Sequence, residues 1–361
     1  MRIAVIGGGM AGLACTDALV AQGAEVTLFE SGDRFGGQVR TTRDRGYLVE
    51  EGADAIGPNH GVAAARARAM GLGDQLVEHH ALPTLRLLNG ALDPLPNDDA
   101  ATLLGIQDPR TPGRPPVTLA SGMDSLVLAS TARLREAADL RRGTSVVALD
   151  RTPDHWIVNL AMGSALQVDA LVLAIPPKTA AWLVHPTAPS GGRFLASLGA
   201  RPAVVVSLGF QRDALTHPLD ANGFSVPLES LESGVQSCAF VSSYISGRAP
   251  DGCVLLRILM RPGRRELDRA TDAVWVDRTL ESITPVLGIR GVPDAYWVAR
   301  WPEVVPTFSD RYRGAVAAGR EALRKVGLVE LAGSAYDGPG IDAAISSGVA
   351  AAAALGSLVR R

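Results

Sequence analysis

Residues 2–30 read RIAVIGGGMAGLACTDALVAQGAEVTLFE, and this stretch decides the fold. Arg2 to Ile6 is a short apolar run of the kind buried on both faces in a parallel sheet. Gly7, Gly9 and Gly12 follow it and open an apolar helical pattern from Leu13 to Gln22. A second strand, Glu25 to Phe29, ends on the carboxylate of Glu30. One glycine tightens the turn, one admits a pyrophosphate to the backbone N–H groups, and one lets the helix approach the sheet. The acidic strand end can accept hydrogen bonds from a ribose diol. Strand, glycine turn, helix and acidic strand end together predict a dinucleotide site.

Outward from this unit the chain is less regular. Residues 58–119 hold a helical pattern at about Val62 to Met70, followed by Pro83, Pro94, Pro96, Pro109, Pro112, Pro115 and Pro116. Leu85, Leu87, Leu88, Leu103 and Leu104 supply apolar anchors, so the interval is expected as a folded cap rather than a linker. A helix after Gly122 leads to strands at Ser145–Leu149, Trp156–Leu160 and Ala170–Leu173. Further strands fall at Ala203–Phe210, Ser237–Tyr244 and Val254–Met260, and a covering helix at Arg264–Leu287. The last unit is a strand at Leu328–Leu331, a glycine turn at Gly333–Gly340 and a small-residue helix from about Asp342.

The expected fold is α/β: a Rossmann-like nucleotide domain with a mostly antiparallel α+β substrate domain. The first is discontinuous, from residues 1–57, 120–175 and 300–361. A shortened cap (58–119) and residues 176–299 form the second.

With 361 residues and 47% hydrophobic content, the chain can bury a core divided between two such units. Its 35 basic and 37 acidic residues leave no basic excess for a nucleic-acid backbone. Three cysteines, with no CxxC, no HExxH and scattered histidines, predict reduced thiols and no metal site. Met1 runs directly into the first strand, which sets an expectation of cytoplasmic residence. No transmembrane segment is expected, and the alanine-rich tail after Gly348 is read as too short to span.

Several motifs together carry a family resemblance. VIGGGMAGL, the Glu30 strand end, RFGGQVRT at Arg34–Thr41, Gly46 and EEGAD at Glu50–Asp54 stand in the order of the flavin amine-oxidase superfamily, which the chain resembles. SGMDSL (Ser121–Leu126), SGRAP (Ser246–Pro250), RWPEVVP (Arg300–Pro306) and LAGSAYDGPGI (Leu331–Ile341) are most similar to its protoporphyrinogen oxidase branch. The interval from Gly57 to Ser121 is shortened, and Asp342 and Ala343 replace the proline and aspartate usual after the closing motif.

The resemblance implies FAD as cofactor. Gly7, Gly9 and Gly12 would meet the pyrophosphate and Glu30 the ribose. Arg34, Gly36 and Gly37 would form a second phosphate-side segment, and Val146, or its neighbour Val147, would meet the adenine. Gly333, Gly338, Gly340 and Ile341 would lie against the isoalloxazine, with the helix start directed at its electron density. Asp342 could cap that helix. Arg248 and Arg300 could steer substrate carboxylates, and Phe308, Tyr312 and Tyr336 could wall the flavin or substrate.

Residue order marks out no catalytic triad or carboxylate pair and leaves the catalytic residues unnamed. The implied activity is an FAD-dependent oxidation like that of protoporphyrinogen to protoporphyrin, a step of porphyrin biosynthesis. Hydride passes to FAD, which oxygen or another acceptor reoxidises. The partners are thus a small organic substrate, porphyrinogen-like, and that acceptor. An FAD-dependent oxidase of another cyclic metabolite or amine, and a noncatalytic FAD-stabilised binding or assembly protein, are the competing readings. Residues 58–119 are expected to form a small cap over a solvent-accessible substrate mouth.

Overall fold

The computed structural model describes residues 1–57, 61–95, 115–227, 234–263 and 265–359. A five-stranded sheet runs in the order Val329–Leu331, Ala170–Leu173, Arg2–Ile6, Glu25–Phe29 and Asp139–Arg141, with every neighbouring pair parallel. Ile3 and Val5 point into one apolar core, Ala4 and Ile6 into another. Burial on both faces is why Arg2–Ile6 reads as an unbroken apolar run.

Helix Met10–Ala21 and the terminal helix Gly340–Val359 cover the first face. They approach so closely that a Cβ on Gly348 would stand 2.1 Å from the Ala11 carbonyl oxygen. The terminal helix starts earlier than the sequence reading placed it, and it is long and apolar enough, by length and composition, to cross a membrane. Here its Ile345, Ala351, Ala352 and Leu355 are buried in the nucleotide-side core. The second face carries a three-stranded sheet (Val146–Arg151, Trp156–Leu160, Ala165–Val168) and helices Pro177–Val184, Pro189–Ala196 and Asp310–Arg324.

A seven-stranded sheet forms the substrate half, in the order Ala295–Pro306, Ala200–Gln211, Cys253–Met260, Val235–Phe240, Gly223–Ser225, Thr84–Leu88 and Ala91–Leu95. Its pairs are antiparallel except Gly223–Ser225 with Thr84–Leu88. Val204, Val206, Leu208, Ile258 and Phe240 pack with Trp275 and Ile283 of helix Asp272–Leu287. Alternate residues face the nucleotide half.

Two ranges behave differently from their sequence reading. In the interval 58–119, Thr84–Leu88 and Ala91–Leu95 extend the seven-stranded sheet, and Leu76–Glu78 pairs with Val117–Leu119. Pro96, Leu103, Leu104, Pro109 and Pro112 lie outside the described residues. The division at residue 300 falls inside the strand Ala295–Pro306, which belongs wholly to the substrate sheet.

The halves are joined by polar ties. The Arg257 guanidinium donates to the carbonyls of Glu50 at 3.1 Å and Gly52 at 2.6 Å, and stands 3.3 Å from the Asp54 carboxylate. Trp301 Nε1 donates to the Glu51 carbonyl at 2.8 Å. The strip Glu50–Asp54 is thereby clamped between the two sheets.

Candidate functional site

The C-terminal ends of the parallel strands are where an open α/β sheet receives its ligand. The glycines there fall into two groups. Gly7 has φ +108°, and a Cβ on it would stand 2.3 Å from the Ala174 carbonyl oxygen. A Cβ on Gly12 would stand 1.9 Å from the Gly7 carbonyl oxygen. These two are required by the fold, because the helix must touch the strand end. Gly9 is different: its Cβ would meet nothing closer than Gly37 Cα at 3.9 Å. Gly340, with φ +89°, has nothing within 4 Å.

Bare backbone therefore lines a trench at Gly9 and Gly37, ahead of the start of helix Met10–Ala21. Gly9 and Gly36 are bridged in parallel, and the Gly36 N–H donates to the Gly8 carbonyl at 2.8 Å. Gly9, the residue before that helix, provides no side-chain cap. The unpaired N–H groups of the first turn and the helix dipole suit a pyrophosphate.

Glu30 lies beside this trench. Its Oε2 accepts the Gly8 N–H at 2.9 Å and its Oε1 the Gly32 N–H at 2.7 Å. The segment leading to Val146 is brought to the same strand end, since the Thr144 N–H donates to the Glu30 carbonyl at 2.8 Å. Val146 itself is half-buried and Val147 exposed. Glu30 and the segment leading to Val146 thus converge on one end of the trench.

Arg34 is arranged differently from the expected bidentate phosphate clamp. Its Nη1 donates to the Phe35 and Val39 carbonyls at 3.1 and 3.0 Å, and its Nη2 to the Gly37 carbonyl at 2.7 Å. Burial, then the neighbouring Arg40, lowers its pKa. Both amino groups serve its own loop, so Arg34 shapes the Gly36–Gly37 turn.

At the opposite side, Gly333 and Gly338 have φ +139° and +131° and flank a short helix, Ser334–Asp337. Ile341 is buried in the nucleotide-side core. Asp342 Oδ1 accepts the Ala63 N–H at 2.7 Å, so it caps the helix Val62–Ala69 instead of its own.

Tyr336, Tyr312 and Phe308 are brought together beneath this turn. The Tyr336 hydroxyl donates to the Ile175 carbonyl and the Tyr312 hydroxyl to the Ala335 carbonyl, both at 2.8 Å. Burial raises the Tyr312 phenol to about 12. These hydroxyls are engaged by backbone, so the rings act as packing beneath the turn.

Arg248 and Arg300 do not share a cavity. Arg248 is 1% exposed, donating to the Leu119 carbonyl at 2.9 Å and Thr118 Oγ1 at 3.0 Å, with Glu50 at 3.9 Å. A guanidinium so enclosed cannot steer an entering carboxylate; it ties the substrate half to the strand Val117–Leu119. Arg300 pairs in register with Val204 on the helix-covered face and forms an ion pair with Asp272 at 2.6 Å. It therefore faces away from the nucleotide half.

Residues unmarked by motif reading line the opposite face. Trp301, Trp297, Ser207 and Arg257 alternate with the core residues of their strands; Trp301 and Arg257 reach Glu50–Gly52, and Trp297 packs on the Tyr47 ring at 5.3 Å. A charge inside an otherwise apolar strand, CVLLRILM, was the available signal for Arg257.

A parallel nucleotide sheet joined through Glu50–Asp54 to the face of an antiparallel sheet opposite its covering helix defines a two-part dinucleotide-dependent oxidoreductase. The flavin containing amine oxidoreductase family model matches residues 10–114 and 110–356, and the chain belongs to that family. FAD is its cofactor, and the open backbone at Gly9 and Gly340 fits such a group.

The chain is 26% identical over 475 residues to coproporphyrinogen III oxidase of Propionibacterium freudenreichii subsp. freudenreichii, covering 96% of this chain and 89% of that protein. A crystal structure from Exiguobacterium sp. 255-15, provisionally assigned as a protoporphyrinogen oxidase, superposes with TM-score 0.86 at 19% identity, covering 99% of each chain. Wild-type putrescine oxidase bound to putrescine superposes with TM-score 0.74 at 14% identity, covering 100% of both chains. At those identities the two structures establish the fold alone.

Proposed function

We propose that this protein oxidises a porphyrinogen, using FAD as the two-electron acceptor and oxygen or another oxidant to complete the cycle. What carries the reading is the similarity to a coproporphyrinogen III oxidase along 96% of the chain, which includes the substrate half as well as the nucleotide half. The breadth of the seven-stranded sheet supports it. Its face away from helix Asp272–Leu287 is covered at Leu255, Ala239 and Ala295 by Tyr47, Val49 and Tyr244, and extends beyond them across Ser237, Ser225 and Arg86 at about 4.8 Å per strand.

In this reading the main-chain N–H groups after Gly9 hold the pyrophosphate and Glu30 holds the ribose. Gly36 and Gly37 let the second loop approach the phosphates, with Arg34 fixing that loop from within. Val146 stands at the adenine end, and Gly333, Gly338, Gly340 and Ile341 line the ring end. FAD, when bound, accepts hydride from the substrate carbon. The protein holds the substrate against the sheet beside the Glu50–Asp54 strip, where Arg257 and Trp301 close the junction between the halves.

The test is anaerobic mixing of FAD-loaded protein with coproporphyrinogen III, protoporphyrinogen IX and a panel of primary amines. Bleaching of the oxidised-flavin absorbance by a porphyrinogen, and its return with porphyrin formation on admitting oxygen, is the expected result. Bleaching by amines alone would replace this reading with an amine oxidase. Retained flavin that no donor reduces would favour a noncatalytic binding protein.

A further inference from the structure

The side of the seven-stranded sheet that faces the nucleotide half carries one row of polar side chains away from the junction with Glu50–Asp54. Leu259 is paired with Ser237, the strand of Ser237 places it beside Ser225, and Ser225 is paired with Arg86. The intervening Cys238 and Phe224, with Leu85 and Leu87, pack into the helix-covered core, so Ser237, Ser225 and Arg86 all point the other way.

None of these three has an internal use. Among the described residues, the Ser225 and Ser237 hydroxyls make no hydrogen bond, and Arg86 makes neither a hydrogen bond nor an ion pair. Arg86 is half-buried and its Nε is enclosed without a partner. Asp93, its cross-strand neighbour on the edge strand, is exposed and forms no ion pair with it. Four other arginines of the two halves are engaged: Arg34 by its loop, Arg248 by Leu119, Arg257 by Glu50 and Gly52, Arg300 by Asp272.

A guanidinium stays charged at any working pH, and an enclosed donor without an acceptor is costly. We propose that Arg86, with Ser225 and Ser237, forms a carboxylate subsite on the floor of the substrate cleft. Its ligand is a carboxylate arm of the substrate. The guanidinium supplies the charge, and the two hydroxyls on successive strands, about 4.8 Å apart, supply neutral donors along the arm. Asp93 bounds the subsite on its outer side and disfavours a second carboxylate there. The subsite rests on the porphyrinogen reading for the identity of the arm. It also explains why neither Arg248 nor Arg300 is needed for this task.

The experiment is fluorescence titration of FAD-loaded protein with coproporphyrin III and, separately, with its tetramethyl ester, at one fixed low ionic strength. Wild type is expected to bind the tetra-acid more tightly than the ester. Arg86→Met should weaken the tetra-acid by about 30-fold and leave the ester unchanged. Arg86→Lys, which keeps the charge but loses the fork, should fall between them, and it serves if Arg86→Met does not retain flavin. Equal binding of acid and ester by wild type, or unchanged acid binding in both variants, overturns the subsite. Binding needs no turnover. A wild type that shows this pattern yet oxidises no porphyrinogen would leave the subsite standing and remove the functional reading, and turnover without the pattern would do the reverse.

Discussion

Asp342 Oδ1 accepts the Ala63 N–H across 2.7 Å and so joins the start of the terminal helix to the first turn of helix Val62–Ala69. The carboxylate follows Gly338 and Gly340 in the chain but is directed at a neighbouring helix. Asp342→Ala is expected to lose about 1 kcal/mol of capping energy, lowering Tm by about 2 °C. Flavin content and the rate of flavin reduction should hold. A loss of reduction rate at full flavin occupancy would assign Asp342 a direct role.

Gly9→Val separates ligand space from fold space. The added Cβ meets no protein atom nearer than 3.9 Å, and the Gly9 φ of -71° is open to any residue, so the chain should fold. The side chain enters the trench proposed to hold the pyrophosphate. Purified variant protein should show a Tm close to that of flavin-free wild type and retain less than about one tenth of the FAD. Gly12→Val, with a Cβ 1.9 Å from the Gly7 carbonyl oxygen, should instead fail to fold. Full FAD retention by Gly9→Val would show that the trench is not the phosphate site.

Glu50 gives the protein a pH-dependent stability. It is 6% exposed, and burial pushes its carboxyl from the ordinary 4.5 up to about 7, against the Met123 N–H, the Thr41 hydroxyl and Arg248. A raised carboxyl keeps its proton in the folded state while the unfolded chain ionises. The stability it contributes is intact below about 4.5 and is lost as pH rises through about 7. Relative to Glu50→Gln, wild type should lose about 1–3 kcal/mol across that window, measured by urea unfolding. Parallel pH profiles for the two proteins would show that burial does not perturb Glu50.

The two arginines first read as a pair should respond oppositely. Arg248→Met leaves the Leu119 carbonyl and the Thr118 hydroxyl without their buried donor and should cost about 1–3 kcal/mol. The Arg300 side chain is 30% exposed, and Arg300→Ala should cost at most about 1 kcal/mol and leave KM for a porphyrinogen unchanged. A raised KM in Arg300→Ala would return that residue to the substrate path.

The nucleotide half was legible because its signal is local. The run Arg2–Ile6, the glycines and the Glu30 strand end lie within one supersecondary unit, and Trp156–Leu160 and Ala170–Leu173 were delimited to the residue. The glycine spacing did not separate Gly9 from Gly7 and Gly12, since that depends on what surrounds each Cβ. The substrate half was legible as strands but not as a sheet. Gly223–Ser225 pairs in parallel with Thr84–Leu88, more than a hundred residues away, and no local pattern encodes that partnership. It is this pairing that turns Arg86 from a lone charge in TLRLL into a neighbour of Ser225. Arg248 sits in a loop, where no alternation reveals its direction.

The packing of helix Gly340–Val359 on helix Met10–Ala21 also sets an order of assembly during translation. All strands of the seven-stranded sheet have been made once residue 306 is synthesised. The parallel sheet, begun at residue 2, still lacks Val329–Leu331 and the helix that covers Ala11 and Cys15. The nascent chain thus completes its later-starting half first and holds the glycine turn half-covered until helix Gly340–Val359 is made. A nascent chain stalled between residues 306 and 329 would have every substrate-sheet strand but no finished place for the flavin.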